Sequence, residues 1–96
     1  MSAAVRGAQN GIFYGKGEVC AAGSRLLVHR KVKDQVVEQL AERTKTLLPG
    51  DPFDKKTRLG AIVSRQQQES VLQYIATGNA EGASLVGTAA EYGRLD

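Results

Sequence analysis

An unbroken apolar run, Leu26 to Val28, leads directly into a long amphipathic segment, and this succession restricts the fold more than any other feature. Consecutive apolar residues without alternation are typical of a strand that is covered on both faces of an α/β sheet. In the segment that follows, VKDQVVEQLAERTKTLL, apolar residues recur at helical spacing and charged residues occupy the other faces. A strand followed by a helix predicts a parallel sheet with right-handed crossovers.

Two further helices and a second strand complete the predicted order of elements. The segment SAAVRGAQNGIFY predicts a first helix, and RQQQESVLQYIATG predicts a third, capped by Ser64 and stopped by Gly78. The segment EGASLVGT predicts the second strand, whereas GDPFDKKTRLGAIV is rich in turn residues and predicts an ordered loop. The predicted class is α/β, in the order helix, loop, strand, helix, loop, helix, strand. Because two short strands cannot form such a sheet alone, we expect residues 1–96 to be a single partial domain.

Composition and charge exclude several classes of protein. Hydrophobic residues make up 42% of the chain, which argues against general disorder. The net charge is +3, but Lys and Arg are scattered among Asp and Glu, so we do not expect nucleic-acid binding. No signal-peptide pattern opens the sequence, and no apolar run approaches the roughly 18 residues of a membrane span. We therefore expect a cytoplasmic protein that does not bind membranes. The chain has a single Cys and a single His, so we expect no metal site.

The only cysteine, Cys20, stands at the end of a glycine-rich loop, YGKGEV, just before the apolar run. Such a loop leaves backbone N–H groups free to face a developing oxyanion. A catalytic thiol must be ionised, by a favourable charge or by a nearby base. Lys16 would favour the thiolate and Glu18 would oppose it, and the sequence does not decide between them. The residues alone leave three interpretations of Cys20: a nucleophile, a redox-sensing thiol, or a small buried hydrophobe.

The stretch FYGKGEVCAAGSRLLVH, with the helices and the Gly-Asp-Pro that follow it, resembles the aldehyde dehydrogenase superfamily, and within it the betaine aldehyde dehydrogenase-like branch. The likeness extends from about Ala3 to Val86. It implies part of the family's three-layer parallel-sheet catalytic domain, which oxidises a small aldehyde to its carboxylic acid with NAD or NADP. Cys20 matches the catalytic nucleophile, which forms a thiohemiacetal and then a thioester, and its backbone N–H would be one oxyanion donor.

The resemblance also implies roles for four neighbouring or distant residues. Tyr14 would lie near the wall of the substrate tunnel, and Val19 and Ala21 beside the nucleophile, where side-chain size selects the aldehyde. Gln67 falls where family members place a glutamine that touches the cofactor ribose, although an exposed helix face is the alternative for the three consecutive glutamines. The family's proteins are homo-oligomers, so a dimer or tetramer is implied for the complete enzyme.

The chain departs from the family pattern in two ways. Its loop reads Gly-Lys-Gly-Glu where many members have Asn-Gln-Gly-Gln. It also has no match for the family's general-base Glu, its oxyanion Asn or its cofactor-binding domain. We therefore expect this chain to be a catalytic-domain fragment that is inactive in isolation. The alternative is a non-enzymatic interaction module that associates with itself or with a full-length homologue.

Overall fold

The structure, a computed structural model, describes residues 1–86. Two compact units divide the chain between Gly60 and Ala61. The first unit holds two α-helices joined by the loop of Cys20, and the second holds one: α1 (Ser2–Phe13), α2 (Lys33–Thr44) and α3 (Arg65–Ala80). None of these three helices has the length and hydrophobicity that crossing a bilayer requires.

In the first unit α1 packs against α2. Val5 of α1 is 2% exposed and Val36 of α2 is 8% exposed, and burying each of these side chains contributes about 1.5–3 kcal/mol. A hydrogen bond of 2.6 Å from the Arg43 Nε of α2 to the Gln9 Oε1 of α1 also joins the helices. The predicted amphipathic helix is therefore present, but it spans 33–44 rather than 32–48, because the chain turns after Thr44.

In the second unit α3 begins as predicted and ends later. The Ser64 hydroxyl accepts a hydrogen bond of 3.1 Å from the Gln67 N–H, which confirms the N-cap. Gly78 lies inside the helix and does not stop it. The stop is Gly82, at φ +98°, where the Ala83 N–H donates to the Gly78 carbonyl at 3.0 Å. This Schellman motif needs a left-handed residue just after the helix, and glycine adopts that conformation without steric cost.

The sheet is not confirmed. The predicted first strand, Leu26 to Val28, has irregular backbone, and Leu27 is 95% exposed. Of the predicted second strand, residues 81–86 are turn and irregular, and its last two residues lie outside the described part. A strand requires hydrogen bonds to a neighbouring strand, and within residues 1–86 the only β-type pairing is an isolated parallel bridge between Pro49 and Leu59.

That bridge closes the ordered loop that follows α2. The Gly50 N–H donates to the Leu59 carbonyl at 3.4 Å and brings the two ends of the loop together. Between them, two aspartate side chains accept backbone N–H groups two residues further on, each at 2.9 Å: Asp51 from Phe53 and Asp54 from Lys56. Such Asx turns fix the backbone locally. The prediction of an ordered, turn-rich loop is confirmed.

Candidate functional site

The loop of Cys20 opens with a left-handed turn directly after α1. Gly15, Lys16 and Gly17 have φ values of +60°, +64° and +77°, and the Glu18 N–H donates to the Gly15 carbonyl at 3.2 Å. Lys16 is the only non-glycine residue with positive φ among residues 1–86. An L-residue in this region costs about 1–2 kcal/mol. The glycines on both sides of Lys16 therefore adopt a left-handed backbone conformation that is unfavourable for most other residues.

Close packing also favours glycine in this turn. A Cβ at Gly17 would lie 3.1 Å from the Ile12 carbonyl oxygen of α1, and one at Gly15 would lie 3.2 Å from the Val19 Cγ2. Both distances are shorter than ordinary van der Waals contact. The turn is therefore held tightly against the last turn of α1 and the residues that follow.

A second turn presents Cys20. The Ala22 N–H donates to the Val19 carbonyl at 2.9 Å, which places Cys20 and Ala21 at the two central positions of the turn. The Gly23 N–H then donates to the Gly11 carbonyl at 2.8 Å, so that the loop returns to one of the unsatisfied carbonyls at the end of α1. The Cys20 side chain is exposed. Exposure contradicts the interpretation of Cys20 as a buried hydrophobe and leaves its sulfur accessible to a small carbonyl compound.

The two charges near Cys20 pair with each other. The Lys16 Nζ lies 3.5 Å from the Glu18 Oε2, with side-chain exposures of 27% and 49%. A paired cation and anion act on a third group as a dipole, whose effect falls off faster with distance than that of a single charge. The sequence left open which of the two charges dominates at the thiol, and the ion pair means that neither acts alone.

The other predicted site residues lie on both units. Tyr14, 76% exposed, begins the same loop as Cys20, and Val19 and Ala21, both exposed, flank the cysteine in its turn. Gln67 lies in the first turn of α3 in the second unit, with an exposed side chain. Within the described residues, no group of three or more His, Cys, Asp or Glu side chains is placed to hold a metal ion.

Sequence reasoning missed an open cleft of about 870 Å³ in the first unit. One wall is a face of α1, another is the end of α2 with the turn after it, and the third is the closed loop. Three of the lining side chains are arginines, and we call this feature the arginine cleft; it is lined by Arg6, Gln9, Asn10, Phe13, Tyr14, Glu42, Arg43, Thr46, Leu47, Thr57, Arg58 and Leu59. The sequence carried one signal, because positions 6, 9, 10 and 13 follow the i, i+3, i+4, i+7 spacing of one helix face.

The glycine-containing turn after α1 and the exposed Cys20 in the next turn together define a candidate nucleophile loop. The chain belongs to the aldehyde dehydrogenase family, whose sequence model matches residues 1–94. It is 44% identical over 85 residues to the betaine aldehyde dehydrogenase of Brucella ovis, covering 88% of this chain and 18% of that protein. It is 48% identical over 86 residues to the betaine aldehyde dehydrogenase of Sinorhizobium fredii, and the match covers 90% of this chain and 18% of that protein. The chain thus spans less than a fifth of the length of these relatives.

Solved structures of the same family are similar in fold. The betaine aldehyde dehydrogenase of Staphylococcus aureus, in complex with NAD⁺, has a TM-score of 0.82 and 36% identity, covering 88% of this chain and 17% of its own. The gamma-glutamyl-gamma-aminobutyraldehyde dehydrogenase of Burkholderia cenocepacia has a TM-score of 0.80 and 45% identity, and the match covers 95% of this chain and 19% of that one. The described part of the chain is therefore similar in fold to a segment of these aldehyde dehydrogenases, although no sheet forms within residues 1–86.

Proposed function

We propose that this chain supplies the nucleophile segment of an NAD- or NADP-dependent aldehyde dehydrogenase that oxidises a small aldehyde to its carboxylic acid. The observation that carries the proposal is the exposed Cys20 in a turn that is anchored to the end of α1. The betaine aldehyde dehydrogenases among the relatives favour a small aldehyde as the substrate.

In the proposed reaction the Cys20 thiolate attacks the aldehyde carbonyl carbon and the carbonyl oxygen becomes an alkoxide. The Cys20 backbone N–H donates to that oxygen, which stabilises the charge that develops on it. Hydride then leaves the former carbonyl carbon, which yields a thioester on the sulfur. Water hydrolyses the thioester, releases the carboxylic acid and restores the thiol. We propose that Tyr14, Val19 and Ala21, which lie in the same loop as Cys20, limit the size of the aldehyde that reaches the sulfur.

The cofactor, when bound, supplies the acceptor for the hydride. Gln67 is the position that the resemblance matches to a cofactor contact, and its exposed side chain is available for one. An exposed amide offers both a donor and an acceptor to a ribose hydroxyl pair. We propose that Gln67 has this role and that the complete enzyme is a cytoplasmic homo-oligomer.

A chimaeric enzyme tests the proposal. Residues 1–86 replace the corresponding segment of the Sinorhizobium fredii betaine aldehyde dehydrogenase, to which the chain is 48% identical. We expect the chimaera to reduce NAD⁺ with a small aldehyde and Cys20→Ser to abolish this activity. Gln67→Ala should raise the KM for the cofactor, whereas its exposed neighbour Gln66, changed to Ala, should not. A folded, cofactor-binding chimaera that keeps its activity after Cys20→Ser would refute the role of the cysteine.

The isolated chain should show no turnover with NAD⁺ and an aldehyde, because it lacks a match for the general base and for half of the oxyanion hole. Removing one oxyanion donor already lowers the rate by about 10²–10³-fold. Cofactor reduction by the isolated chain that disappears in Cys20→Ala would contradict this expectation.

One observation favours the second candidate, a non-enzymatic interaction module. Large apolar side chains are unusually exposed, among them Leu27 at 95%, Phe53 at 93% and Val63 at 82%. Exposed apolar side chains promote association when they lie in contiguous patches. Light scattering of the isolated chain checks this: the interaction module requires a dimer or larger assembly, and a monomer at micromolar concentration would count against it.

A further inference from the structure

We infer that the arginine cleft is an anion-binding site that takes a ligand with two or more phosphate or carboxylate groups. The inference does not rest on the proposed function, because Cys20, Val19, Ala21 and Gln67 do not line the cleft. It makes no use of Tyr14, the one lining residue that the proposed function also involves. It rests on how three elements of the first unit bring cationic side chains to one concave surface.

The helix α1 supplies the first wall. Arg6, Gln9, Asn10 and Phe13 lie on one face of the helix and all line the cleft. Their guanidinium and amide groups are hydrogen-bond donors, and the ring of Phe13 adds an apolar surface. Cavities that bind small molecules commonly combine an apolar lining with a few polar groups, and their volumes of about 300–1,000 Å³ include the size of this cleft.

The end of α2 and the closed loop bring the second and third arginines. Arg43 is held in the wall by its Nε bond to Gln9, which leaves its terminal nitrogens for another partner. Arg58 is carried back toward this region because the pairing of Pro49 with Leu59 closes the loop. The guanidinium forks match the planar geometry of carboxylates and the oxygens of phosphates, with which they form bidentate hydrogen bonds.

Residues 1–86 do not compensate the positive charge of the cleft. Within the described residues, no hydrogen bond or ion pair engages the guanidinium of Arg6 or Arg58. The one lining carboxylate, Glu42, is itself paired with the Lys45 Nζ at 2.8 Å. Three arginines and one paired glutamate give the lining a net charge of +2. Cations without partners around a concave surface attract a multivalent anion more strongly than the same cations dispersed over a convex surface.

Titration of the chain with inorganic pyrophosphate and, separately, with citrate tests the inference and distinguishes phosphate from carboxylate ligands. We expect saturable binding of at least one of them by calorimetry. Arg58→Gln and Arg6→Gln should each weaken it about three- to tenfold, as expected for the loss of a partly exposed charge-assisted hydrogen bond. Glu42→Gln should strengthen it, because it removes the negative charge from the lining.

Arg65→Gln is the matched control, since Arg65 is exposed on α3, does not line the cleft, and its replacement changes the net charge equally. Equal weakening by Arg65→Gln and Arg58→Gln would overturn the inference, because it would mean that only the net charge matters. Absence of saturable binding would overturn it too. Amide chemical shifts of the unsubstituted chain give a readout that does not depend on variants: changes centred on Arg6, Arg43 and Arg58 support the site, and changes elsewhere refute it.

Discussion

Replacing Gly17 by alanine should destabilise the first unit, and Gly7→Ala provides the matched comparison. Gly17 has φ +77°, and an added Cβ would lie 3.1 Å from the Ile12 carbonyl oxygen. Gly7 lies inside α1, where an added Cβ would meet nothing within 4 Å. Both replacements restrict the unfolded chain by the same amount, so this contribution cancels when the two variants are compared.

What remains is the cost of placing an L-residue in the left-handed region, about 1–2 kcal/mol, with a further cost for relieving the contact with the Ile12 carbonyl. Gly7→Ala should itself stabilise the chain by about 0.5–1 kcal/mol, because it keeps the entropic gain from restricting the unfolded chain and adds no strain in the helix. Urea unfolding followed by far-UV circular dichroism measures both. With a slope of about 1 kcal/mol/M, the midpoint of Gly17→Ala should lie about 1–2 M below that of Gly7→Ala. Coincident midpoints at equal slopes would refute the structure of this turn.

Three further substitutions probe the other local interactions, each by the free energy of unfolding or the helical ellipticity. Val5→Ala should cost about 1.5–3 kcal/mol because its side chain is 2% exposed, whereas Val63→Ala, at an 82% exposed position, should change stability by less than about 0.5 kcal/mol. Equal effects would contradict the α1–α2 packing. Ser64→Ala should lower stability by about 1 kcal/mol through loss of the cap, whereas Ser70→Ala inside α3 should not. Gly82→Ala should cost about 1 kcal/mol because of its φ of +98°, and a neutral result would argue against the Schellman motif.

The parts of the fold that sequence reasoning predicted are those specified by near neighbours in the chain. The apolar spacing predicted α1 and α2, and Ser64 predicted the start of α3, because a cap bonds within three residues of itself. The predicted end of α3 was wrong because two glycines near that end could each terminate the helix. Gly78 continues the helix at a modest cost, whereas Gly82 adopts the left-handed conformation that a helix terminus needs.

The arginine cleft could not be predicted because it depends on residues far apart in the sequence. Nothing in the local pattern shows that Arg58 comes back to the region of Arg6, because that approach depends on the pairing of Pro49 with Leu59. The pairing of Lys16 with Glu18 was missed for a different reason, because these residues are only two positions apart. A backbone turn at positive φ decides whether the two side chains meet, and the residue types alone do not reveal that turn.

The presentation of Cys20 and the chemistry proposed for it therefore depend on different parts of the protein. The turn in which the sulfur is exposed is fixed by the glycines at positions 15 and 17 and by the carbonyls at the end of α1. All of these groups lie within twelve residues of Cys20. The apolar run directly after the loop is different, because Leu26 and Leu27 are 52% and 95% exposed and their backbone is unpaired within residues 1–86. A strand can form there only when another backbone lies beside it.

The loop of Cys20 should consequently keep its shape in the isolated chain, whereas the apolar run after it should become ordered only when a partner strand is supplied. Hydrogen exchange in the isolated chain and in the chimaera separates the two: protection of the Leu26 and Leu27 amides in both would contradict this division.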